Sequence, residues 1–502
     1  MNVLLINPPR HNELIGKNPG IVEKHRGFNP PLGVLSLAGY LQNHSAHYVE
    51  VFDAQPGGLD YPALEELLKK RKTVPDVIGI TAMTFTLIDV VQTIRCTKRV
   101  YPHAIVVLGG PHTHIFPEET ITCEGVDFLV LGEGEIVFKD LLNHLGNRTL
   151  LKSIRGLVFE DEGKVINTGI AQSTSNLDEL GMPARNLVNV KDYSSLLGRN
   201  NIVTTMFTSR GCPYRCTFCD RPFSPVISGF RYRSAKHVAD EMEQCIELGI
   251  DEAFIYDDTF TVRKDRVFEL CEEIHSRKLQ FRWDVRAHVN TVSREMLKAM
   301  RDAGCDRIHY GVESGNDRML KIIKKNATIG RIKNAVQWTK EANIEVLTYF
   351  IIGQQTETIS DIGDTIDLAK SLNPNYAHFT VFCPYPATEI YQQGLEREII
   401  KEDVWKQFAL NPVPGFELPV WEENFSREEL KKLLVRCYKE FYLRPGYILR
   451  SASRMRSMGE ISRKARAGLS VITMKPNQTR GGKSIAQKVR EIIPQSSYDT
   501  HH

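Results

Sequence analysis

Two long stretches of this chain alternate between short, near-continuous apolar runs and longer amphipathic ones. In the first, strand patterns fall at 3–6, 48–52, 77–81, 104–108 and 128–131, with helical patterns at 32–43, 61–71, 87–100 and 136–145. Runs that are apolar throughout suit strands buried on both faces, as in parallel sheets wrapped by helices. The order is that of an α/β doubly wound parallel sheet, which takes ligands at the carboxyl ends of its strands. In the second, over 199–395, strands are expected at 204–208, 252–256, 281–285, 307–311, 345–352 and 378–382, with helices such as 236–248, 264–277, 294–303 and 332–341 between them. Six such units make a partial (βα)6 barrel, again with reactive residues at the strands' carboxyl ends.

The remaining segments are organised around these two. Residues 1–145 form the first domain, and 146–198 a linker with a hairpin at 155–159 and 164–167 and a turn-rich stretch at 177–184. After the barrel domain at 199–395, residues 396–475 read as a helical region, with helices expected at 396–406, 427–442 and 446–456, and 476–502 as a disordered tail. His501 and His502 read equally as tag or native sequence. A chain of 502 residues exceeds one ordinary core. A net charge of +3 gives no general case for binding nucleic acid. No apolar run approaches the roughly 18 to 20 residues that span a bilayer. The start of the chain reads as a buried strand rather than a signal peptide. Ten cysteines, mostly isolated, fit a reduced, cytoplasmic setting.

Three of those cysteines are not isolated. Cys212, Cys216 and Cys219 stand in Ser209-Arg-Gly-Cys-Pro-Tyr-Arg-Cys-Thr-Phe-Cys-Asp220, at spacing C-x3-C-x2-C. A cubic iron–sulfur cluster takes four thiolates, so three on one loop leave one iron open. A structural zinc site would show a second ligand pair, and His237 lies at no usual spacing from Cys219. A cluster with metal ligands Cys212, Cys216 and Cys219 is therefore expected.

The loop resembles that of the radical SAM superfamily, with an aromatic residue, Phe218, before the third cysteine and a strand leading in. The resemblance implies a [4Fe-4S] cluster whose open iron chelates S-adenosylmethionine, reductive cleavage to a 5′-deoxyadenosyl radical, and an external electron donor such as flavodoxin or ferredoxin. It also assigns the strand ends. Asp257 and Asp258 would meet the amino group of S-adenosylmethionine, Arg286 its carboxylate, and Glu313 and Ser314 its ribose or methionyl part, while Ile352 and Gly353 would cradle the adenine. For each charged residue alone, a structural salt bridge is the competing reading. Cys383 and Tyr385 follow the sixth strand and are candidates for a catalytic role near the radical; the plainer reading of Cys383 is a packed thiol.

The first domain resembles the Rossmann-like cobalamin-binding domain of cobalamin-dependent methyltransferases and mutases, whose pattern is D-x-H-x-x-G, S-x-L and G-G. Asp53 and Gly58 match the first motif, Thr81 begins a loose match to the second, and Gly109 and Gly110 match the third. Thr84, Gly132 and Glu133 complete the strand ends expected to face cobalamin. Gln55 stands where that family has its cobalt-ligating histidine. The resemblance therefore implies cobalamin with no protein nitrogen on its lower face; His112 and His114 are the alternatives.

Together these resemblances imply an enzyme that methylates an unactivated carbon. A radical cyclase of the anaerobic magnesium-protoporphyrin monomethyl ester type is the second reading, and a sensor without turnover the third. The substrate is expected to be a small molecule such as a lipid, tetrapyrrole or natural-product intermediate. Arg450, Arg454, Arg456, Arg463, Lys464 and Arg466 offer either a solvated basic helix or a peripheral membrane contact.

Overall fold

The computed structural model describes residues 1–14, 28–195, 198, 202–221, 229–453 and 468–475. The first sheet holds β1 (Asn2–Asn7), β2 (Tyr48–Asp53), β3 (Val77–Thr81), β4 (Ile105–Gly109), β5 (Phe128–Val130), β6 (Leu157–Asp161) and β7 (Lys164–Asn167) in the order β2-β1-β3-β4-β5-β6-β7. The first five are parallel, while β6 and β7 join antiparallel. The hairpin expected in a linker thus extends the first sheet, because Leu157, Val158 and Phe159 are apolar enough to bury against β5.

Alternation along these strands builds two cores. Leu4, Ile6, Ile78, Ile80, Val106 and Leu108 pack under the helices Tyr61–Lys69 and Leu87–Val100. Val3, Leu5, Val77 and Val107 pack under Leu32–His44 and Gly134–His144 on the other face. A period of two on strands that are apolar at every position gives this doubly wound sandwich.

The central sheet holds β8 (Thr204–Met206), β11 (Glu252–Ile255), β12 (Arg282–Ala287), β13 (Cys305–Glu313), β14 (Glu345–Ile352) and β15 (Tyr376–Val381), all parallel, in the order β15-β14-β13-β12-β11-β8. This is the expected six-stranded partial barrel. A short antiparallel pair, β9 (Ser209–Arg210) and β10 (Arg231–Tyr232), stands at its mouth. Ser234, Ser293, Asn316, Thr328 and Thr358 each cap a following helix with a side-chain oxygen, which starts the helices where the strands' loops end. Trp283, Val285, Ile308, Tyr310, Val346 and Phe350 belong to the core built with those helices. The alternate positions are polar: Arg307 bridges Asp284 at 2.6 Å and Glu345 at 2.8 Å, and His309 Nδ1 lies 3.0 Å from the Tyr349 hydroxyl.

The open edge of β15 is closed by side chains. The Tyr442 hydroxyl accepts from Ala377 N–H at 3.0 Å and donates to its carbonyl at 2.8 Å. Tyr438 treats Phe379 the same way at 3.3 and 3.1 Å, and Tyr447 donates to the Asn375 carbonyl at 2.9 Å. Tyr438 and Tyr442 lie one turn apart on the helix Arg427–Tyr442, a spacing close to that of two alternate strand residues.

The helix expected at 396–406 is a break instead. Helices span Glu389–Glu396 and Val404–Leu410, because Glu398 is left-handed (φ 57°) and Asp403 caps the second helix. Ile400, Trp405 and Phe408 join the core of the first sheet, so this C-terminal pair covers the first domain rather than the barrel alone. Among the described residues, no helix is long and apolar enough to cross a membrane. Of the basic residues singled out near the end, only Arg450 lies within the described residues, where it donates to the Pro374 carbonyl; the expected tail lies outside them.

Candidate functional site

The two sheets meet carboxyl end to carboxyl end. After β5, Glu133 and Glu135 pair with Arg210 at 3.0 and 2.6 Å, and Arg210 is two residues before Cys212. After β1, Asn29 donates to the Tyr256 hydroxyl at the end of β11. After β2, the Asp53 carboxylate accepts from Tyr193 at 2.9 Å. After β3, the Phe85 ring lies 6.0 Å from that of Tyr385, beyond β15.

The cluster loop is held from below and from the side. Asp257 accepts four hydrogen bonds of 2.6 to 3.0 Å from the backbone N–H and hydroxyl groups of Thr208 and Ser209. Asp258 accepts from Gly211 N–H at 3.2 Å and pairs with Arg221 at 3.1 Å. Cys212 Sγ lies 3.4 Å from the Thr259 hydroxyl. Thr217 N–H donates to the Ile323 carbonyl at 3.1 Å, and the Tyr214 ring stacks on His288 at 3.8 Å. The three thiols form no disulfide, and burial pushes Cys219 up to about 12. Metal coordination is what makes such a buried thiol a thiolate. Among the described residues, no three His, Cys, Asp or Glu side chains converge tightly enough to hold one metal ion. A cubane asks for another arrangement, one sulfur to each of three irons, and a single loop with three free thiols fits it.

Several residues expected to touch S-adenosylmethionine have other work. Asp257 is fully buried beneath the loop it fastens. Ser314 is buried 3.5 Å from the Thr365 hydroxyl, turned toward the helix Ile359–Leu372. The Ile352 side chain packs in the barrel's outer core, leaving only its backbone toward the mouth. Gly353 turns with φ 80°, and a side chain there would strike Leu430; its N–H donates to Glu357. Burial raises Glu357 to about 7 although Gln354 and Gly353 N–H groups oppose the rise. Glu313 pairs with Lys325 at 2.7 Å. Arg286 is exposed, stacks 4.5 Å from the centre of the Tyr256 ring, and forms no ion pair among the described residues. Its guanidinium is thus available to an anion.

On the first sheet, Asp53 accepts from Asn7 at 2.8 Å and from Gln55 N–H at 3.1 Å as well as from Tyr193, so it builds the loop rather than facing it outward. Glu133 also pairs with Arg231 at 2.6 Å, and despite burial the guanidiniums hold its carboxyl below the ordinary range. The carboxylate expected to face cobalamin thus also forms a bridge between domains. Thr84 lies 3.1 Å from His112 Nδ1, and the buried His112 Nε2 has no partner among the described residues; burial pushes this imidazole down to about 3. Gly58 and Gly132 are left-handed, at φ 63° and 93°. Gly110, at φ 110°, lies where a Cβ would come within 2.7 Å of the Ala82 carbonyl, whereas above Gly109 the nearest atom is 3.9 Å away, on Val130. Thr81 is partly exposed beside this space, and Gln55 is partly exposed at the end of β2. Open backbone at Gly109, with the small Thr81 side chain beside it, fits a large flat ligand approaching closely.

Cys383 and Tyr385 pack against the first sheet's core beside Trp405. Burial raises the Cys383 thiol to about 12, although the residue as a whole is only partly buried. The sequence reading missed Lys325, Arg221, Tyr214, Glu135 and the pairing of Glu133 with Arg210. Only the Lys324-Lys325-Asn326 turn carried a visible signal, a charged doublet directly after Ile322-Ile323.

The fold and both loops define a two-cofactor enzyme of the radical SAM type. The Radical SAM superfamily model matches residues 206–369, and the B12 binding domain model matches 19–142. The chain is 32% identical over 455 residues to the uncharacterized methyltransferase PH0819 of Pyrococcus horikoshii, covering 90% of this chain and 94% of that one. It is 28% identical over 429 residues to the anaerobic magnesium-protoporphyrin IX monomethyl ester cyclase of Cereibacter sphaeroides, covering 83% and 68%. Among solved structures, the cobalamin-dependent S-adenosylmethionine radical enzyme OxsB superposes with a TM-score of 0.70 at 17% identity, covering 94% of this chain and 72% of that one. The chain belongs to the cobalamin-dependent radical SAM enzymes, with a [4Fe-4S] cluster, S-adenosylmethionine and cobalamin as its cofactors.

Proposed function

We propose that this enzyme methylates an unactivated carbon of a small-molecule substrate. One observation carries the reading: Arg210, two residues before the first cysteine, is gripped by Glu133 and Glu135 at the cobalamin-binding sheet. That grip sets the two cofactor loops against one substrate space. When bound, the cofactors supply a carbon-centred radical source and a transferable methyl group.

The protein's own part is to hold and to shield. Cys212, Cys216 and Cys219 carry the cluster. Arg286, free of carboxylate partners among the described residues and backed by Tyr256, would hold the carboxylate of S-adenosylmethionine. Asp258 serves its amino end beside the first cysteine, and the Gly353 turn, fastened by Glu357, backs its adenine. Gly109 would let the corrin approach the backbone, and Gln55, an amide, would offer cobalt no strong ligand. Trp405, Tyr385 and Phe408 seal the seam between the domains against water.

A radical cyclase is the second reading, favoured by the similarity to the magnesium-protoporphyrin cyclase over 83% of this chain. An external one-electron donor such as flavodoxin or ferredoxin and a cytoplasmic setting go with either. A membrane contact would rest on basic residues outside the described set. Anaerobic turnover with methyl-labelled S-adenosylmethionine, against an extract of candidate lipids and tetrapyrroles, tests the proposal. Label recovered in a product one methyl heavier is the expected result. A product formed without label would reject methylation in favour of cyclisation.

A further inference from the structure

Beside the cluster loop the chain delivers one buried lysine, and the surrounding backbone is shaped to bring it there. β13 slips register against β14 between Gly311 and Glu313, and Glu313 takes a left-handed conformation (φ 67°). Such a conformation in a residue with a side chain is strained and persists only where neighbours hold it. Lys325 holds it, with Nζ 2.7 Å from Glu313 Oε1 and both side chains almost wholly buried. Gly311 makes the room: a Cβ there would lie 2.7 Å from Lys325 Nζ and overlap the Glu313 carboxylate.

The turn that carries Lys325 is equally constrained. Lys324 and Asn326, on either side, are both left-handed, at φ 52° and 54°. The turn is also fastened to the cluster loop. Thr217, between the second and third cysteines, donates to the Ile323 carbonyl, and His288 binds the Lys325 carbonyl at 3.0 Å while stacking on Tyr214 between the first and second cysteines. Lys325 Nζ stands 5.9 Å from the centre of the Phe218 ring, the residue before Cys219. The Glu313 carboxylate, in contact at 2.7 Å, is what lets an ammonium be buried here.

We infer that Lys325 is the residue that sets the reduction potential of the cluster, its fixed ammonium favouring the reduced state. The physics is a difference of charges. Reduction adds one electron to a group already made anionic by three thiolates, so a nearby buried cation stabilises the reduced form more than the oxidised one. Glu313, the only carboxylate paired with Lys325 among the described residues, offsets part of that effect. A lysine serving only the fold would gain nothing from being tied at two points to the loop of cysteines. The inference rests on the cluster being held by Cys212, Cys216 and Cys219.

The test is an anaerobic potentiometric titration of the reconstituted full-length protein, followed by electron paramagnetic resonance, without S-adenosylmethionine. Iron and sulfide content measured first checks the cluster itself: a wild-type protein that takes up no cluster overturns the cysteine assignment, and this inference with it. Lys325→Gln is expected to keep its cluster and to become at least tenfold harder to reduce, a fall of 59 mV for a one-electron couple. Lys325→Arg should stay within a threefold change of wild type. Glu313→Gln removes the opposing charge and should move the potential upward. A fully loaded Lys325→Gln protein with the wild-type potential would overturn the inference, as would Lys325→Arg falling as far as Lys325→Gln. Should Lys325→Gln fail to load, Glu313→Gln decides alone, and an unchanged or lowered potential there counts against it.

Discussion

The two parallel sheets present their carboxyl ends to each other, yet they make their sites in opposite ways. The central sheet works by what it supplies: three thiols, the free Arg286 and the Glu313–Lys325 pair. The first sheet works by what it withholds: no side chain at Gly109, no imidazole at Gln55, and carboxylates at Asp53 and Glu133 that are already used by the protein. The difference follows from the ligands. A cluster and a small charged nucleotide need donors and counter-charges, whereas a broad corrin needs close backbone and room.

The sharpest break between the two halves is expected from Cys216→Ala. It should abolish cleavage of S-adenosylmethionine, measured as 5′-deoxyadenosine by chromatography, while cobalamin retention stays at the wild-type level. Loss of both together would mean that the halves do not form separate sites. Next comes the buried acid of the central sheet. Glu357 has a native pKa of about 7, raised by burial, so the native state holds its proton more tightly than the unfolded chain does. Its contribution is full below about pH 4.5, falls as pH rises, and is lost above about 7. Glu357→Gln should flatten that slope and stabilise the protein at pH 8 by about 1 to 3 kcal/mol in denaturant titrations; an unaltered slope would show that the acid titrates normally.

Arg210→Met should destabilise by about 2 to 3 kcal/mol, because Glu135 loses its cation and Glu133 keeps only Arg231. A shift below about 0.5 kcal/mol in the unfolding midpoint would make the bridge between domains decorative. Finally, two adjacent glycines separate fold from ligand within the first sheet. Gly110→Ala should lose about 2 kcal/mol through backbone strain and collision with Ala82. Gly109→Ala should change stability by less than about 0.5 kcal/mol yet weaken cobalamin retention about tenfold, read by gel filtration and absorbance. Equal cobalamin retention in wild type and Gly109→Ala would take the corrin away from this position.

Both sheets and the cluster loop could be read from the chain because each is written locally, in apolar runs and in cysteine spacing. The functional meaning of strand-end carboxylates could not. Asp257, Glu133 and Asp258 look alike in sequence, but one fastens the loop's backbone, one bridges domains and one pairs with Arg221. Only a partner remote in sequence tells them apart. The break at Glu398 was hidden for a similar reason: a helical pattern does not reveal a left-handed residue stabilised by burying Ile400. The β6–β7 hairpin reads the same whether it is free or paired to β5.

The phenols of Tyr438, Tyr442 and Tyr447 have an effect that extends beyond their own bonds. With the amides and carbonyls of Ala377 and Phe379 already occupied, that stretch of the last strand offers no template on which a second chain could lengthen the sheet. An incomplete cylinder can therefore persist without its last strand becoming an adhesive seam.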